Sequence, residues 1–163
     1  MFLTGKTHVV LGTAAAIALT LKYPQGLNLI GMNISPAIAL LTVSAGSYGP
    51  DIDIQQSHLG QQHRIISKHL KHRGITHTMF VPAILLNVML LAKDLPFLVS
   101  FIFGFLLGWL THIFADLFNK KGVPLLWPFT SKKFHIASFK TRTWHEAVFT
   151  VIWLGGLVLW LKL

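Results

Sequence analysis

Apolar residues gather into five runs along this chain, and polar residues gather between them. Marked by hydropathy, the runs cover about 9–21, 34–48, 76–92, 97–118 and 147–161. Only the fourth reaches the ~20 residues that an α-helix needs to cross a bilayer core about 30 Å thick. The first is short enough to be a buried or partly inserted helix. The pattern predicts an all-α, integral membrane helical bundle of four or five apolar helices, forming one domain over residues 1–163.

The connections differ in character. Residues 22–33 and 93–96 are short and carry helix breakers, Pro in both, with Gly and Asn in the first. Residues 49–75 and 119–145 are long, polar and rich in His and cations. If the helices alternate direction, the N-terminus and both long connections share one side. That side then holds Lys6, Arg64, Lys68, Lys71, Arg73, Lys120, Lys121, Lys132, Lys133, Lys140 and Arg142, which is 11 of the 14 basic residues. Lys22, Lys93 and Lys162 fall opposite, and the positive-inside rule makes the richer side cytoplasmic.

Composition supports lipid as the surrounding solvent. Hydrophobic residues make up 53% and charged residues only 12%, against about 25% charged in soluble domains. Mean hydropathy is +0.60. The absence of Cys excludes disulfides, thiolate metal sites and a Cys nucleophile, so any metal must be held by nitrogen and oxygen. The net charge of +9 reflects a scarcity of acids, of which there are five: Asp51, Asp53, Asp94, Asp116 and Glu146. The N-terminal stretch has one cation rather than a charged leader, so no cleaved signal peptide is expected, and the C-terminus carries no Cys lipidation box.

The same partition puts all nine His and every acid except Asp94 on the basic side. Carboxylates at the ends of apolar helices are costly unless paired or bound to a cation. In the fourth run, His112 and Asp116 are four residues apart and share a helix face; they can bind one ion together or simply hydrogen-bond each other. The segment His72-Arg73-Gly74-Ile75-Thr76-His77 leads into the third run, with His77 expected in its first helical turn and His72 folded back; it also reads as a basic solvated loop. Asp51 and Asp53, after the helix-ending Gly49-Pro50, can hold one ion or bridge two on extended backbone, or form an ordinary Asx turn. His8 precedes the first run at the same depth. Together His8, Asp51, Asp53, His72, His77, His112 and Asp116 are a carboxylate–imidazole set suited to one or two divalent ions, Zn foremost, with Mn or Fe as alternatives.

The run Gly46-Ser47 through Pro50-Asp51-Ile52-Asp53, then His72-Arg73-Gly74-Ile75-Thr76-His77, resembles the bacterial membrane-bound metal-dependent hydrolase family (YdjM-like). So does His112-x-x-x-Asp116 followed by Gly122-Val123-Pro124-Leu125-Leu126-Trp127-Pro128-Phe129. Order and spacing match over nearly the whole chain. The family is in turn similar to zinc-dependent phospholipase C and the P1-type nucleases, all-helical enzymes with multinuclear zinc. The resemblance implies that His112, Asp116, one of Asp51 or Asp53, and one of His72 or His77 hold zinc, with His8 as an early ligand. Those enzymes also use a late His-x-x-x-Glu pair. Here Arg142 stands four residues before Glu146, which implies two metals at most.

These readings lead to a metal-dependent hydrolase in the bacterial inner membrane. It would be multi-pass, with its site facing the cytoplasm, acting on a phospholipid or other lipid-linked phosphoester. Metal-activated water would attack phosphorus, Arg73 and neighbouring cations would steady the developing charge, and Asp53 or Glu146 would handle the proton. His58, His63 and His69 read as solvated. Trp127, Phe129 and Trp144 suit an aromatic belt at the headgroups. The alternative is a non-enzymatic membrane protein with a structural metal. Nucleic acid is not an expected partner, because the basic residues lie between hydrophobic segments without a binding motif.

Overall fold

The first apolar run is rich in Ala and Leu, which lose little side-chain freedom in a helix, and it folds as α1 (Gly5–Lys22). The computed structural model describes residues 5–53, 74–137 and 143–163. Within them the chain is mostly helical, and each of the five runs forms one helix. Ser35 caps α2 (Pro36–Tyr48) by accepting from the Ile38 N–H at 3.4 Å, and Pro36 takes the first helical position. The remaining helices are α3 (Phe80–Leu91), α4 (Pro96–Leu117) and α5 (Trp144–Lys162).

The 22–33 connection corrects the all-α expectation. It contains a small antiparallel hairpin, β1 (Leu27–Leu29) and β2 (Met32–Ile34), which pairs Leu27 with Ile34 and Leu29 with Met32. Its two-residue turn, Ile30-Gly31, has φ of 52° and 77°, the doubly positive geometry that suits tight hairpins. Gly31 adopts it freely, whereas Ile30 is strained there as a β-branched residue. Alternation turns Met32 and Ile34 inward and leaves Asn33 exposed.

Two further local expectations change. Gly49-Pro50 does end α2, but Asp51 and Asp53 then lie in a 3₁₀ turn (Gly49–Asp53) rather than on extended backbone. His77 closes a second 3₁₀ turn (Ile75–His77) and so precedes α3 instead of sitting in its first turn.

Helices α4 and α5 are long and apolar enough to cross a membrane. With 13 and 12 residues, α2 and α3 would be roughly 20 Å long or less at 1.5 Å per residue, short of the core thickness. Among the described residues, two helices of sufficient length and apolarity stand where four or five spans were expected. Helix α5 buries no residue, and Val151, Ile152 and Leu159 are among its open apolar positions, as a lipid-facing helix requires.

Cross-helix contacts fix the directions. Ser35, Thr42 and Ser47 of the α2 strip meet Ser100, Phe101 and His112 of α4 in the same order, so these two helices run parallel. Thr7, Leu11 and Lys22 meet Glu146, Trp153 and Trp160, making α1 and α5 parallel as well. Gly5 approaches Tyr48 while Gly12 approaches Ser47, so α1 opposes α2. The starts of α1 and α5 and the ends of α2 and α4 thus share one end of the bundle, as alternation predicts.

Packing is tightest between α2 and α4. A Cβ added at Gly46 would lie 2.0 Å from the Phe105 carbonyl oxygen, at Gly104 2.0 Å from that of Ala39, and at Gly108 2.1 Å from that of Val43. Gly104 and Gly108 form the small-xxx-small pattern that lets helix backbones meet in lipid. The Thr42 hydroxyl donates to the Phe101 carbonyl at 2.7 Å across the same seam. At the hairpin end, Met32, Ile34, Met89, Val99, Ile102 and Leu106 form one apolar cluster; Trp109, Ile113 and Val123 form another near the opposite end.

Gly108→Val should destabilise the protein by roughly 1–3 kcal/mol or more through overpacking. Gly155→Ala, in the interior of α5 where an added Cβ meets nothing within 4 Å, should keep or raise stability, by up to about 1 kcal/mol. Thermal unfolding in one detergent checks both.

Candidate metal centre

Helix α4 supplies the base of the site. Trp109, His112 and Asp116 are three and four residues apart and lie on one face, all buried. The Trp109 indole N–H donates to the Thr76 carbonyl at 3.1 Å, holding the second 3₁₀ turn beside α4. Its ring also lies under Gly49, where an added Cβ would come within 2.3 Å of it. Both 3₁₀ turns are thus seated on one indole. The connection after α4 folds back over this region. Gly122, at φ +61°, makes the reversal, Val123 pairs with Phe134, and the Leu125 carbonyl accepts from the Met79 N–H at 3.0 Å.

Three imidazoles and three carboxylates converge here. His8 comes from the first turns of α1, Asp51 and Asp53 from the first 3₁₀ turn, His77 from the second, and His112 and Asp116 from α4. His8, His77, His112, Asp53 and Asp116 are buried, whereas 14% of the Asp51 side chain stays exposed. The His8 and His112 rings stack with centroids 3.8 Å apart and planes 15° from parallel.

The ring nitrogens of two histidines divide their work. His112 Nδ1 lies 2.7 Å from the Ser47 main-chain carbonyl. A carbonyl only accepts, so Nδ1 carries the proton and Nε2 presents its lone pair. His77 Nδ1 lies 3.3 Å from Asp53 Oδ2, which also accepts from the Thr76 hydroxyl at 2.6 Å. His77 Nε2 faces the other way, 3.5 Å from Asp116 Oδ2 and 3.9 Å from Asp51 Oδ1. His112 Nε2 completes the set, 3.5 Å from Asp51 Oδ1 and 4.0 Å from Asp116 Oδ2.

These four edges exceed ordinary hydrogen-bond lengths. They are nearer the edge of a tetrahedron around a cation: bonds of 2.0–2.1 Å to nitrogen and oxygen give edges of about 3.3 Å. Two of the edges already lie within a few tenths of an ångström of that value. The donor set, two imidazoles with outer nitrogens engaged and two carboxylates, has the chemistry to hold a divalent ion. His8 Nε2 lies 3.7 Å from the other Asp116 oxygen. Two groups can each surround an ion, His8 with His112 and Asp116, and Asp51 with His77 and His112. They share His112, whose Nε2 has a single lone pair, so one imidazole cannot complete both at once.

The sequence-expected residues divide as follows. His8, Asp51, His77, His112 and Asp116 come together around the ligand positions, and Asp53 stands behind His77. Glu146, in the first turn of α5, accepts a hydrogen bond from the Thr7 hydroxyl and so stands beside α1 next to His8. His72 and Arg73 lie outside the described residues, as do His58, His63, His69, Lys140 and Arg142. Trp127, Phe129 and Trp144 are exposed. Sequence reasoning missed the Ser47 carbonyl, Thr76 and Trp109. A main-chain acceptor leaves no mark in a sequence, whereas Trp109, one turn before His112, was there to be read.

Among relatives, the chain is 40% identical over 85 residues to "Inner membrane protein YdjM" of Escherichia coli (strain K12), covering 48% of this chain and 43% of that one. The match to the protein of the same name in Shigella flexneri has the same extent. The stretch shared with these two is thus less than half of their length. It is 26% identical over 164 residues to "Uncharacterized protein YvsG" of Bacillus subtilis (strain 168), covering 96% and 91% of the two chains. No solved structure matches it significantly. The family model described as "YdjM inner membrane protein" matches residues 3–162, and the chain accordingly belongs to that family.

Proposed function

We propose that this membrane protein is a metal-dependent hydrolase that cleaves a phosphoester of a phospholipid or another lipid-linked phosphate. The observation that carries the reading is the aim of His77 and His112. Each ring has its outer nitrogen engaged, by Asp53 and by the Ser47 carbonyl, and its inner nitrogen turned toward the oxygens of Asp51 and Asp116. Engaging the second ring nitrogen is how proteins fix the tautomer and orientation of metal-binding imidazoles.

Asp51, His77, His112 and Asp116 are assigned as ligands, with zinc the first choice and manganese or iron as alternatives. His8 and the second Asp116 oxygen begin a position for a second ion. When bound, a divalent ion would supply Lewis-acid activation of water and of a phosphoryl oxygen. The chain's own residues orient, exclude water and accept a proton. His77, His112 and Asp116 are buried and hold their places. Asp51, the partly exposed carboxylate, marks the side from which water and substrate approach. Asp53 is assigned as the positioning residue for His77, and Glu146, bonded to Thr7 beside α1, keeps its expected role as proton acceptor. Arg73 keeps its expected role of steadying the phosphoryl charge. A kinship to phospholipase C and the P1-type nucleases is proposed from donor type and order alone.

In this reading α1, α2 and α3 insert together with the spanning helices α4 and α5. The site then faces the cytoplasm, because the connection from 119 to 137 carries Lys120, Lys121, Lys132 and Lys133 at the site's end of the bundle. A second reading is supported by the donor count. Four protein ligands in a tetrahedron are typical of a structural zinc site, whereas catalytic sites keep one position open. The exposure of Asp51 favours the catalytic reading, since water can compete for its place.

His112→Ala and Asp116→Asn should each remove most of the bound metal by elemental analysis and lower phospholipid phosphoester hydrolysis by ~100-fold or more. Full activity in His112→Ala refutes the hydrolase. Should chelation unfold the protein while no phosphoester class is turned over by the metal-loaded form, the structural reading replaces it.

Asp53→Asn should weaken metal affinity by about 10–100-fold, the usual effect of losing an outer partner. Ser47→Ala should leave affinity unchanged, because its contact to His112 is through the main chain. Competition with a chromogenic chelator measures both.

A further inference from the structure

An apolar groove of about 620 Å³ runs between α4 and α5. Its walls include Phe118, Trp144, Val148, Ile152 and Gly156, and ring pairs Phe118–Phe149 and Phe114–Trp153, 4.8 and 5.8 Å apart, join the two helices across it. Among the described residues, the one side chain in the lining that can ionise is His145. It sits at one end, stacked on Trp144 with centroids 4.0 Å apart.

That end is the one that carries the candidate metal centre. Glu146 follows His145 and is bonded to Thr7, the residue before His8. From Trp144 to Leu157 the groove follows α5 for about 20 Å. This is about two-thirds of a hydrocarbon core about 30 Å thick, so the groove spans one leaflet and ends just past the midplane. Lys120 and Lys121 follow Phe118 and are exposed, as are Lys132 and Lys133; no Asp or Glu occurs between residues 119 and 137. A groove that starts at one headgroup level and ends near the midplane, apolar along its length and cationic at its headgroup end, matches an acyl chain attached to an anionic phosphate. A second copy of this chain, packed side by side in the membrane, would instead bring like lysine clusters together at the same depth.

The geometry points to the α4–α5 groove as a binding site for one acyl chain of an anionic phospholipid, with its headgroup phosphate at Lys120 and Lys121. Only the further step, that this lipid is the one cleaved at the metal centre, rests on the function proposed above.

The test uses the full chain in phosphatidylcholine nanodiscs with trace acyl-spin-labelled phosphatidylglycerol or phosphatidylcholine, read by electron paramagnetic resonance. The wild type should immobilise the labelled phosphatidylglycerol strongly and the labelled phosphatidylcholine weakly. Gly156→Trp grows into open space and should abolish most of the immobilised signal without lowering the unfolding temperature. Ile152→Trp provides a second variant of the same kind should Gly156→Trp fail to fold. Lys120→Ala with Lys121→Ala should reduce the preference for phosphatidylglycerol by about fivefold per lysine. Asp116→Asn should lose metal yet keep the immobilised signal, so failure of the metal reading is seen separately. Equal spectra for the two lipids with wild type, or an unchanged signal in both Trp variants, would overturn the proposal. So would a wild-type dimer that either Trp variant converts to a monomer, since the groove would then hold a second copy.

Discussion

Helices α2 and α4 approach until the backbone of one meets the backbone of the other. Gly46, Gly104 and Gly108 allow this by presenting hydrogen where a side chain would strike a carbonyl oxygen. At this distance the two helices are held by backbone packing and by hydrogen bonds across the seam. The same closeness brings the Ser47 carbonyl within 2.7 Å of His112 Nδ1. One helix thereby sets the tautomer of a ring carried by the other. With α2 displaced outward by a methyl's width, His112 would lose its orienting acceptor and the inner nitrogen its direction. The chemistry of the site is thus downstream of a contact made entirely by main chain and glycine.

Trp109 plays the companion role for the irregular segments. Short 3₁₀ turns have poor internal hydrogen bonding and little rigidity of their own. Here two of them are laid on one indole, one against its face and one on its N–H. Asp51, Asp53 and His77 consequently hold their relation to His112 and Asp116 through a single side chain one turn away along α4. The arrangement places flexible backbone where the ligands need fine placement and rigid helix beneath it.

Much of this was legible in the sequence. Five hydropathy runs became five helices, because continuous apolar stretches between Pro- and Gly-bearing breaks have few other outcomes. The convergence of His8, His77, His112 and the acids followed from alternation, which places distant helix ends at one depth. The hairpin at 27–34 was not legible. It has six paired residues, and its turn residue Ile30 holds a conformation its side chain disfavours, so local propensity argued against it. The division between Asp51 and Asp53 was equally hidden. Both belong to one 3₁₀ turn, and which of them faces the cluster depends on a turn geometry that two-residue spacing does not encode. The shortness of α2 and α3 was partly visible, since those runs never reached a full span.

The hairpin also governs something at the far end of the bundle. Successive residues of an α-helix are rotated by 100°, so adding or removing one residue within α1 would swing every side chain before that point by nearly a third of a circle. The buried faces of Met32 and Ile34 anchor the chain between α1 and α2 to the core, and the Lys22 amine grips the Trp160 carbonyl at 2.8 Å. With its tail clamped in this way, α1 has no freedom to roll. The azimuth of His8, fourteen residues away, is dictated by a pair of three-residue strands that never approach it.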